Sequence, residues 1–422
     1  MNLADWLAHI ERQHPQTIAL GLERLRAVKE RLGQRQRCPV VTIGGTNGKG
    51  STCAMLERIL RRAGYRVGLY TSPHLLGYNE RVRIDGVAAG DEALAEAFAR
   101  VEAARLQGDE VPLTYFEFGT LAAWEVFSTK PLDAIILEVG LGGRLDATNL
   151  YDADCAIVTG VALDHMDYLG PTREDIGFEK AGIYRPGKPA LCGDVDPPRR
   201  LLDHAAAIGA DLQVFGRDFT ATRQDGQWQY QGRGGRRSSL AYPALRGNRQ
   251  IDNATVVLAA LDELKPQLPV AMQDVRRGLL EVELAGRFQV LPGRPTVVLD
   301  VAHNPQAAQA LADNMGSMAF HPTTWAVLGM MADKDIVGVV RAVRHRIDRW
   351  LPCTLPGARA ASGEELAALL ANEGIAGPLP VFASPAAALA HARENAGEDD
   401  RILAFGSFLT VADVMRSLGR GA

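Results

Sequence analysis

Apolar positions along the chain fall into two kinds of stretch. Short continuous runs rich in β-branched residues occur at "PVVTIGG" (39–45), "RVGLYTS" (66–72), "DAIILEVG" (133–140) and "DCAIVTGVA" (154–162). Longer stretches of helical spacing lie between them, notably 51–64, 91–106 and 115–129. Runs that are continuously apolar rather than alternating suit a parallel sheet covered on both faces. The first part of the chain therefore predicts a doubly wound α/β sheet. The opening "MNLADWLAHIERQH" reads as an amphipathic helix.

The pattern changes at 215–243, where polar and apolar residues alternate between Gly-rich turns. This predicts a small antiparallel addition, hairpins on the sheet edge, with "GRGGRR" as a solvated turn. Helices are predicted at 249–265 and near 271–280. "LPGRP" (291–295) has the composition of a linker. Strand–helix alternation then restarts with "TVVLDVA" (296–302), "TTWAVLGMM" (323–331), "RWLPCTL" (349–355), "LPVFAS" (379–384) and "RILAFGS" (401–407). The predicted organisation is one domain over 1–290 and a second, Rossmann-like α/β domain over 296–422.

Composition narrows the class. Of 422 residues, 47% are apolar and 23% charged, which suits a globular protein too long for one ordinary core. The formal net charge of −4 calls for no nucleic acid and no anionic membrane as partner. There is no apolar run of about 18 residues to predict a transmembrane helix. The N-terminus lacks the basic-then-apolar pattern of a signal peptide. Cys38, Cys53, Cys155, Cys192 and Cys353 are scattered and form no CxxC pair. Free thiols in a reducing cytoplasm are expected rather than a zinc site or disulfides.

Candidate chemistry begins after the first strand, at Gly45-Thr46-Asn47-Gly48-Lys49-Gly50-Ser51. A glycine-rich turn between a strand and a helix lets backbone N–H groups surround phosphate oxygens, and the helix N-terminus adds its partial charge. Lys49 would meet the outer phosphates and Ser51 would offer its hydroxyl to Mg²⁺. The spacing departs from GxxxxGK[ST], because Gly50 separates the lysine from the hydroxyl residue. A ligand-free turn is the plain alternative. Glu138 ends a strand at the sheet edge where open α/β sheets bind ligands. "EVGLGGRLD" lacks the full GxGxxG of a dinucleotide loop. Asp164, His165 and Asp167 follow another strand and suit a divalent cation, although a capping Asp and a hydrogen-bonded loop His would look the same. Lys180, near the end of the next helix, would ordinarily be solvated.

Taken together, "GTNGKGST", "TSPHL", "ERVRIDG", "TYFEFGTLAAW", "LEVGLGGRLDATN", "LDHMDYLG", "EKAGIYRPGKP", "DVAHNP" and "GSFLTVADVM" closely resemble the folylpolyglutamate synthase/dihydrofolate synthase family, related to the Mur ligases. The resemblance runs from about residue 5 to 418, and the unusual loop spacing is the one this superfamily uses. It implies a P-loop domain of the Mur-ligase central type that also holds the pterin or folate, followed by a glutamate-ligase domain. Further implied roles are Thr46, Asn47, Gly48, Lys49, Gly50 and Ser51 on ATP, Asn253 on the adenine side and Arg287 on the phosphates. Ser51, Ser72 and Glu138 are implied for one Mg²⁺ and His165 for a second. Lys180 resembles the family's carbamylated lysine, which would add oxygens to the second ion. Asp300 and His303 are implied to face the nucleotide and the incoming glutamate. Ile18, Ala19, Leu20 and Gly21, with Phe116 and Asp146, match the pterin side of bifunctional members.

The implied reaction is ATP-dependent. A substrate carboxylate becomes an acyl phosphate, which the amino group of L-glutamate converts to an amide. Acceptors would be dihydropteroate, reduced folates or both, and a monomer is expected. A single-activity folylpolyglutamate synthase and another Mur-type amide ligase are the alternatives within this class. A hydrolysing P-loop switch would need no carboxylate acceptor, and a non-catalytic nucleotide module would leave Lys49, Glu138 and His165 without a joint role.

Overall fold

The structure is a computed structural model that describes residues 1–14, 19–377 and 379–420. The chain divides into two compact units, Met1–Ala244 with Ile251–Val282, and Leu245–Gln250 with Glu283–Ala422.

In the first unit, β1 (Val40–Gly44), β2 (Val67–Tyr70), β3 (Val82–Ile84), β4 (Val87–Ala88), β5 (Ala134–Glu138), β6 (Cys155–Val158), β7 (Pro189–Cys192) and β8 (Asp211–Val214) form one sheet among the described residues. Their order is β4-β3-β2-β5-β1-β6-β7-β8. The strands from β2 to β8 in that order pair in parallel, and β3 and β4 add an antiparallel edge. The doubly wound α/β expectation holds with that addition. Every residue of β1 and β5 is buried, as their continuous apolar runs require. β7 opens on Pro189 and β8 alternates polar and apolar from Asp211 to Val214, so neither shows the continuous apolar run that marked the other parallel strands.

Helices cover both faces. One core layer gathers Trp6, Ile10, Leu25, Phe98, Phe118 and Trp124. A separate layer gathers Val158, Ile176, Ile183, Tyr184 and Leu201. The helix Tyr115–Ser128 starts at a capping box in which Thr114 and Glu117 each accept the other's backbone N–H, and it is buried from Glu117 to Phe127. Its burial on all sides explains why it carries so few charges.

The segment predicted as an edge addition is a sheet of its own. β9 (Thr220–Gln224), β10 (Gln227–Gly232) and β11 (Gly235–Ala241) pair only with one another, in the order β11-β10-β9. The reason lies in its buried face, where Trp228, Tyr230 and Leu240 are fully enclosed. The Tyr230 hydroxyl donates to Asp262 on the helix Arg249–Leu264 at 2.6 Å, and Arg237 pairs with the same carboxylate. The basic turn is likewise spent on ion pairs, Arg233 meeting Asp211 at 2.7 Å.

In the second unit, β12 (Gln289–Leu291), β13 (Thr296–Asp300), β14 (Thr324–Leu328), β15 (Arg349–Pro352) and β16 (Arg401–Phe405) form a sheet in the order β12-β13-β16-β14-β15. All pairs are parallel except β12 with β13. The predicted linker therefore lies inside this sheet, Leu291 ending β12 and residues 292–295 turning into β13, and the division between units falls at Val282 and Glu283. "LPVFAS" makes only one isolated bridge, Phe382 with Cys353. Pro380 removes a ladder donor beside it, which confines the segment to the edge. Among the described residues no helix is long and apolar enough to cross a membrane. All five cysteines are free thiols.

Candidate active site

The phosphate loop leaves β1 and turns into the helix Lys49–Arg62. Gly48 starts that helix with a φ of 94°, and a Cβ there would lie 2.5 Å from Asn253 Oδ1. That close approach puts the predicted adenine-side residue directly against the loop. Thr46 Oγ1 donates to the Ala162 carbonyl at 3.1 Å and accepts from the Ala162 N–H at 3.0 Å. Thr159 Oγ1 donates to the Asn47 carbonyl at 2.7 Å. The loop is thus fastened to the segment after β6. Lys49 Nζ donates to the Gly45 and Thr46 carbonyls at 3.1 and 3.3 Å, which holds the ammonium over the loop. Gly50 and Ser51 lie in the first helical turn, with Ser51 buried.

Glu138 ends β5 beside Ile43 of β1 and is 4% exposed. The Ser72 N–H donates to its carboxylate at 3.2 Å. Cys53, two residues beyond Ser51, is pushed well up by burial and feels the charges of Glu138 and Lys49. Ser51, Ser72, Glu138 and Lys49 therefore share one neighbourhood at the C-terminal edge of the sheet. His165 follows β6 with a φ of 51°, its backbone N–H on Asp164 at 2.9 Å and its ring Nε2 3.8 Å from the same carboxylate. Among the described residues no three His, Cys, Asp or Glu side chains are grouped as metal ligands. A cation here would draw on serine hydroxyls and one strand-end carboxylate.

Lys180 differs from an ordinary helical lysine. It is 4% exposed, and burial lowers its pKa from 10.5 to about 7, with the nearby Lys49 ammonium adding to the shift. Asp164 and Asp146 act in the opposite direction. One amine is thus within electrostatic reach of the phosphate loop, the His165 loop and the predicted pterin side.

The residues predicted for the pterin side come from three segments. Ile18 lies outside the described residues. Ala19 and Leu20 are half-buried, and the Ala19 carbonyl accepts from Arg24, which also pairs with Glu117 at 2.7 Å. Gly21 N–H donates to the Leu145 carbonyl at 3.4 Å. The Phe116 ring rests on Gly140, where a Cβ would come within 2.6 Å of it, and lies 5.9 Å from the Tyr70 ring. Asp146 accepts from the N–H groups of Leu141 and Thr148 and from the Thr148 hydroxyl, at 2.8, 3.0 and 2.6 Å. Burial pushes its carboxyl up. Sequence reasoning missed Thr46–Ala162, Thr159–Asn47 and Arg24–Glu117, since no local spacing signals partners about a hundred residues apart.

In the second unit, Asp300 ends β13 and accepts from the N–H groups of Phe288 and Ala302 at 2.8 and 2.7 Å. Burial pushes its carboxyl up, against the pull of Arg287. The Arg287 guanidinium sits 5.0 Å over the Phe408 ring, and His303 lies 6.5 Å from the same ring. Asp300, His303 and Arg287 therefore form one cluster.

Two domain descriptions match this chain, the Mur ligase middle domain over residues 43–261 and the Mur ligase, glutamate ligase domain over 286–408. A dihydrofolate synthase/folylpolyglutamate synthase of Escherichia coli K12 is 45% identical over 98% of this chain and 94% of its own. The chain belongs to that family. A dihydrofolate synthase/folylpolyglutamate synthase of Haemophilus influenzae is 40% identical over 97% of this chain and 96% of its own. Among solved structures, E. coli FolC in complex with DHPP and ADP superposes with a TM-score of 0.94 at 43% identity, over 99% of this chain and 98% of that one. A bifunctional folylpolyglutamate synthase/dihydrofolate synthase with Mn, AMPPNP and L-glutamate bound gives 0.91 at 42%, over 99% and 98%. This member of the dihydrofolate synthase/folylpolyglutamate synthase family is an ATP-dependent ligase of the two-domain Mur ligase fold.

Proposed function

We propose that this ligase joins L-glutamate both to dihydropteroate and to the γ-carboxyl of reduced folates, releasing ADP and phosphate. The observation that carries the reading is near full-length similarity to relatives named dihydrofolate synthase/folylpolyglutamate synthase, with the environment of Lys180 in accord with it. A buried amine of about pKa 7 lies within electrostatic reach of Lys49, of Asp164 beside His165, and of Asp146 on the acceptor side.

Lys49 and the loop N–H groups hold the outer phosphates of ATP, with Asn253 bounding the loop. Phe116 offers a flat apolar face to the pterin ring, while Asp146 and the 19–21 backbone offer polar contacts at its edge. The acceptor carboxylate attacks the γ-phosphorus, ADP leaves, and an acyl phosphate forms. The glutamate amino group attacks the acyl carbon, and the tetrahedral intermediate loses phosphate and a proton to give the amide. The protein's part is orientation and charge neutralisation. In the second unit, Arg287 and Asp300 are assigned to the nucleotide and His303 to the glutamate.

The donor set fits a hard cation, since Ser51, Ser72 and Glu138 would supply oxygen ligands and Ser51 and Glu138 are buried. Mg²⁺ held there, and a second ion at His165 and Lys180, would neutralise the charge that builds on the transferring phosphoryl group. The Lys180 amine, half neutral near pH 7, adds to CO₂ with loss of one proton. The resulting carbamate converts a buried cation into an anion beside Lys49. Free buried thiols accord with a cytoplasmic setting, and we propose that the ligase acts as a monomer.

The test is phosphate release with Mg²⁺-ATP and L-glutamate, run with no acceptor, with dihydropteroate and with tetrahydrofolate. Release that requires glutamate and occurs with each acceptor establishes both activities. Activity with tetrahydrofolate alone leaves a single-activity synthase. Equal release without an acceptor overturns the ligase reading.

A further inference from the structure

Arg81 is a half-buried arginine of the first unit. Arg24, Arg83 and Arg105 each face a carboxylate, at 2.7, 2.9 and 2.6 Å. Among the described residues Arg81 makes no ion pair. Its Nε donates to His74 Nδ1 at 2.8 Å, and its guanidinium lies 5.4 Å over the Tyr78 ring and 5.5 Å over the Tyr115 ring. The adjacent carboxylate, Glu80, is already committed to the N–H groups of Leu75, Leu76 and Gly77, at 2.8, 2.6 and 2.8 Å. Asp146 is committed to Leu141 and Thr148. A partly desolvated guanidinium with no ion pair among the described residues, held by His74, by Tyr70 and by two rings, is a preorganised anion receptor.

Its place in the fold gives the anion's identity. Arg81 reaches the acceptor wall through Tyr70, whose hydroxyl it draws down against the upward push of burial, and Tyr70 packs on Phe116. It reaches the metal side through the backbone, since the Arg81 carbonyl accepts from the Thr71 N–H at 2.9 Å, next to Ser72 on Glu138. The receptor thus lies between the ring-binding face and the phosphate-binding edge. Dihydropteroate carries a single carboxylate, and that group must be phosphorylated. A folyl acceptor carries two, the reacting γ-carboxylate and a spectator α-carboxylate.

We infer that Arg81 binds the spectator α-carboxylate of the folyl acceptor, so that it serves glutamate addition to reduced folates far more than dihydrofolate synthesis. The inference rests on the bifunctional reading proposed above. His74 and the two tyrosines act as positioning residues that hold the guanidinium for bidentate pairing.

The test compares wild type, Arg81→Met and Arg81→Lys in steady-state kinetics with each acceptor, using thermal unfolding to check folding. A charge-assisted pair at a partly buried site predicts a rise of about 10- to 100-fold in KM for tetrahydrofolate in Arg81→Met, against less than about 3-fold for dihydropteroate. Arg81→Lys should recover part of the loss, because it restores charge but not the fork. A tetrahydrofolate with its α-carboxylate amidated should be a poor acceptor for wild type and no poorer for Arg81→Met. This mutant–analogue cycle reads the pairing directly. It also covers failure of Arg81→Met to fold, because wild type must still discriminate against the amide. Equal losses with both acceptors, or wild-type indifference to amidation, would overturn the inference while leaving the ligase intact. Wild type inactive with tetrahydrofolate from the outset would instead refute the bifunctional reading.

Discussion

At pH 7, an amine of pKa about 7 is half neutral, as Lys180 is here. A lysine of ordinary pKa is roughly 0.03% neutral at that pH, so burial raises the population able to attack CO₂ by about a thousandfold. The same shift makes the ammonium form costly, by about 5 kcal/mol for a fall from 10.5 to about 7. The sign follows from proton linkage. Above pH about 10.5 both folded and unfolded states are neutral and there is no penalty. As pH falls toward 7 the unfolded lysine takes up a proton that the buried amine refuses, so stability is progressively lost, and the loss is complete below about 7. In CO₂-depleted buffer, Lys180→Met should therefore be more stable than wild type in urea titrations at pH 6, with the difference shrinking by pH 10. Bicarbonate should raise wild-type stability and activity and leave Lys180→Met unchanged. With ¹³C-bicarbonate, a carbamate carbon signal should appear in wild type and be absent from Lys180→Met. Lys180→Arg, a cation that cannot add CO₂, should be inactive. An active Lys180→Arg enzyme, or a wild type that takes up no label and does not respond to bicarbonate, would refute the reasoning.

The remaining predictions concern the loop and the acceptor wall. Lys49→Met should lower kcat by about 10²-fold or more in phosphate-release assays with either acceptor, because it removes the charge held over the loop. Gly48→Ala meets both a φ of 94° and a Cβ contact of 2.5 Å with Asn253. It should cost about 1–3 kcal/mol in urea unfolding and raise KM for ATP, and an unchanged KM would argue against Asn253 bounding the nucleotide. Asp146→Asn replaces one oxygen acceptor by a donor where three protein donors converge. It should destabilise by about 1–3 kcal/mol and weaken both acceptors in fluorescence titration.

The sequence by itself determined the local chemistry of this protein. Continuous apolar runs marked β1, β2, β5 and β6 because a strand buried on both faces has no polar side to show. The glycine spacing around Lys49 and the strand-end position of Glu138 carried the nucleotide reading, and the order of the family's motifs carried the acceptor. Tertiary structure decided everything that depends on partners distant in the chain. It made a separate sheet of 220–241, because Tyr230 and Arg237 find their counterpart in Asp262 on a later helix. It put "LPGRP" inside a sheet, Leu291 ending β12 and the rest turning into β13, because β12 pairs with β13. Nothing local distinguishes Lys180 from a solvated lysine, or Arg81 from any other arginine. Desolvation near Lys49 sets the first, and a place over two tyrosine rings with no ion pair among the described residues sets the second. Burial and counter-ions are properties of the packed chain, and they assign chemistry to residues whose sequence neighbours are silent.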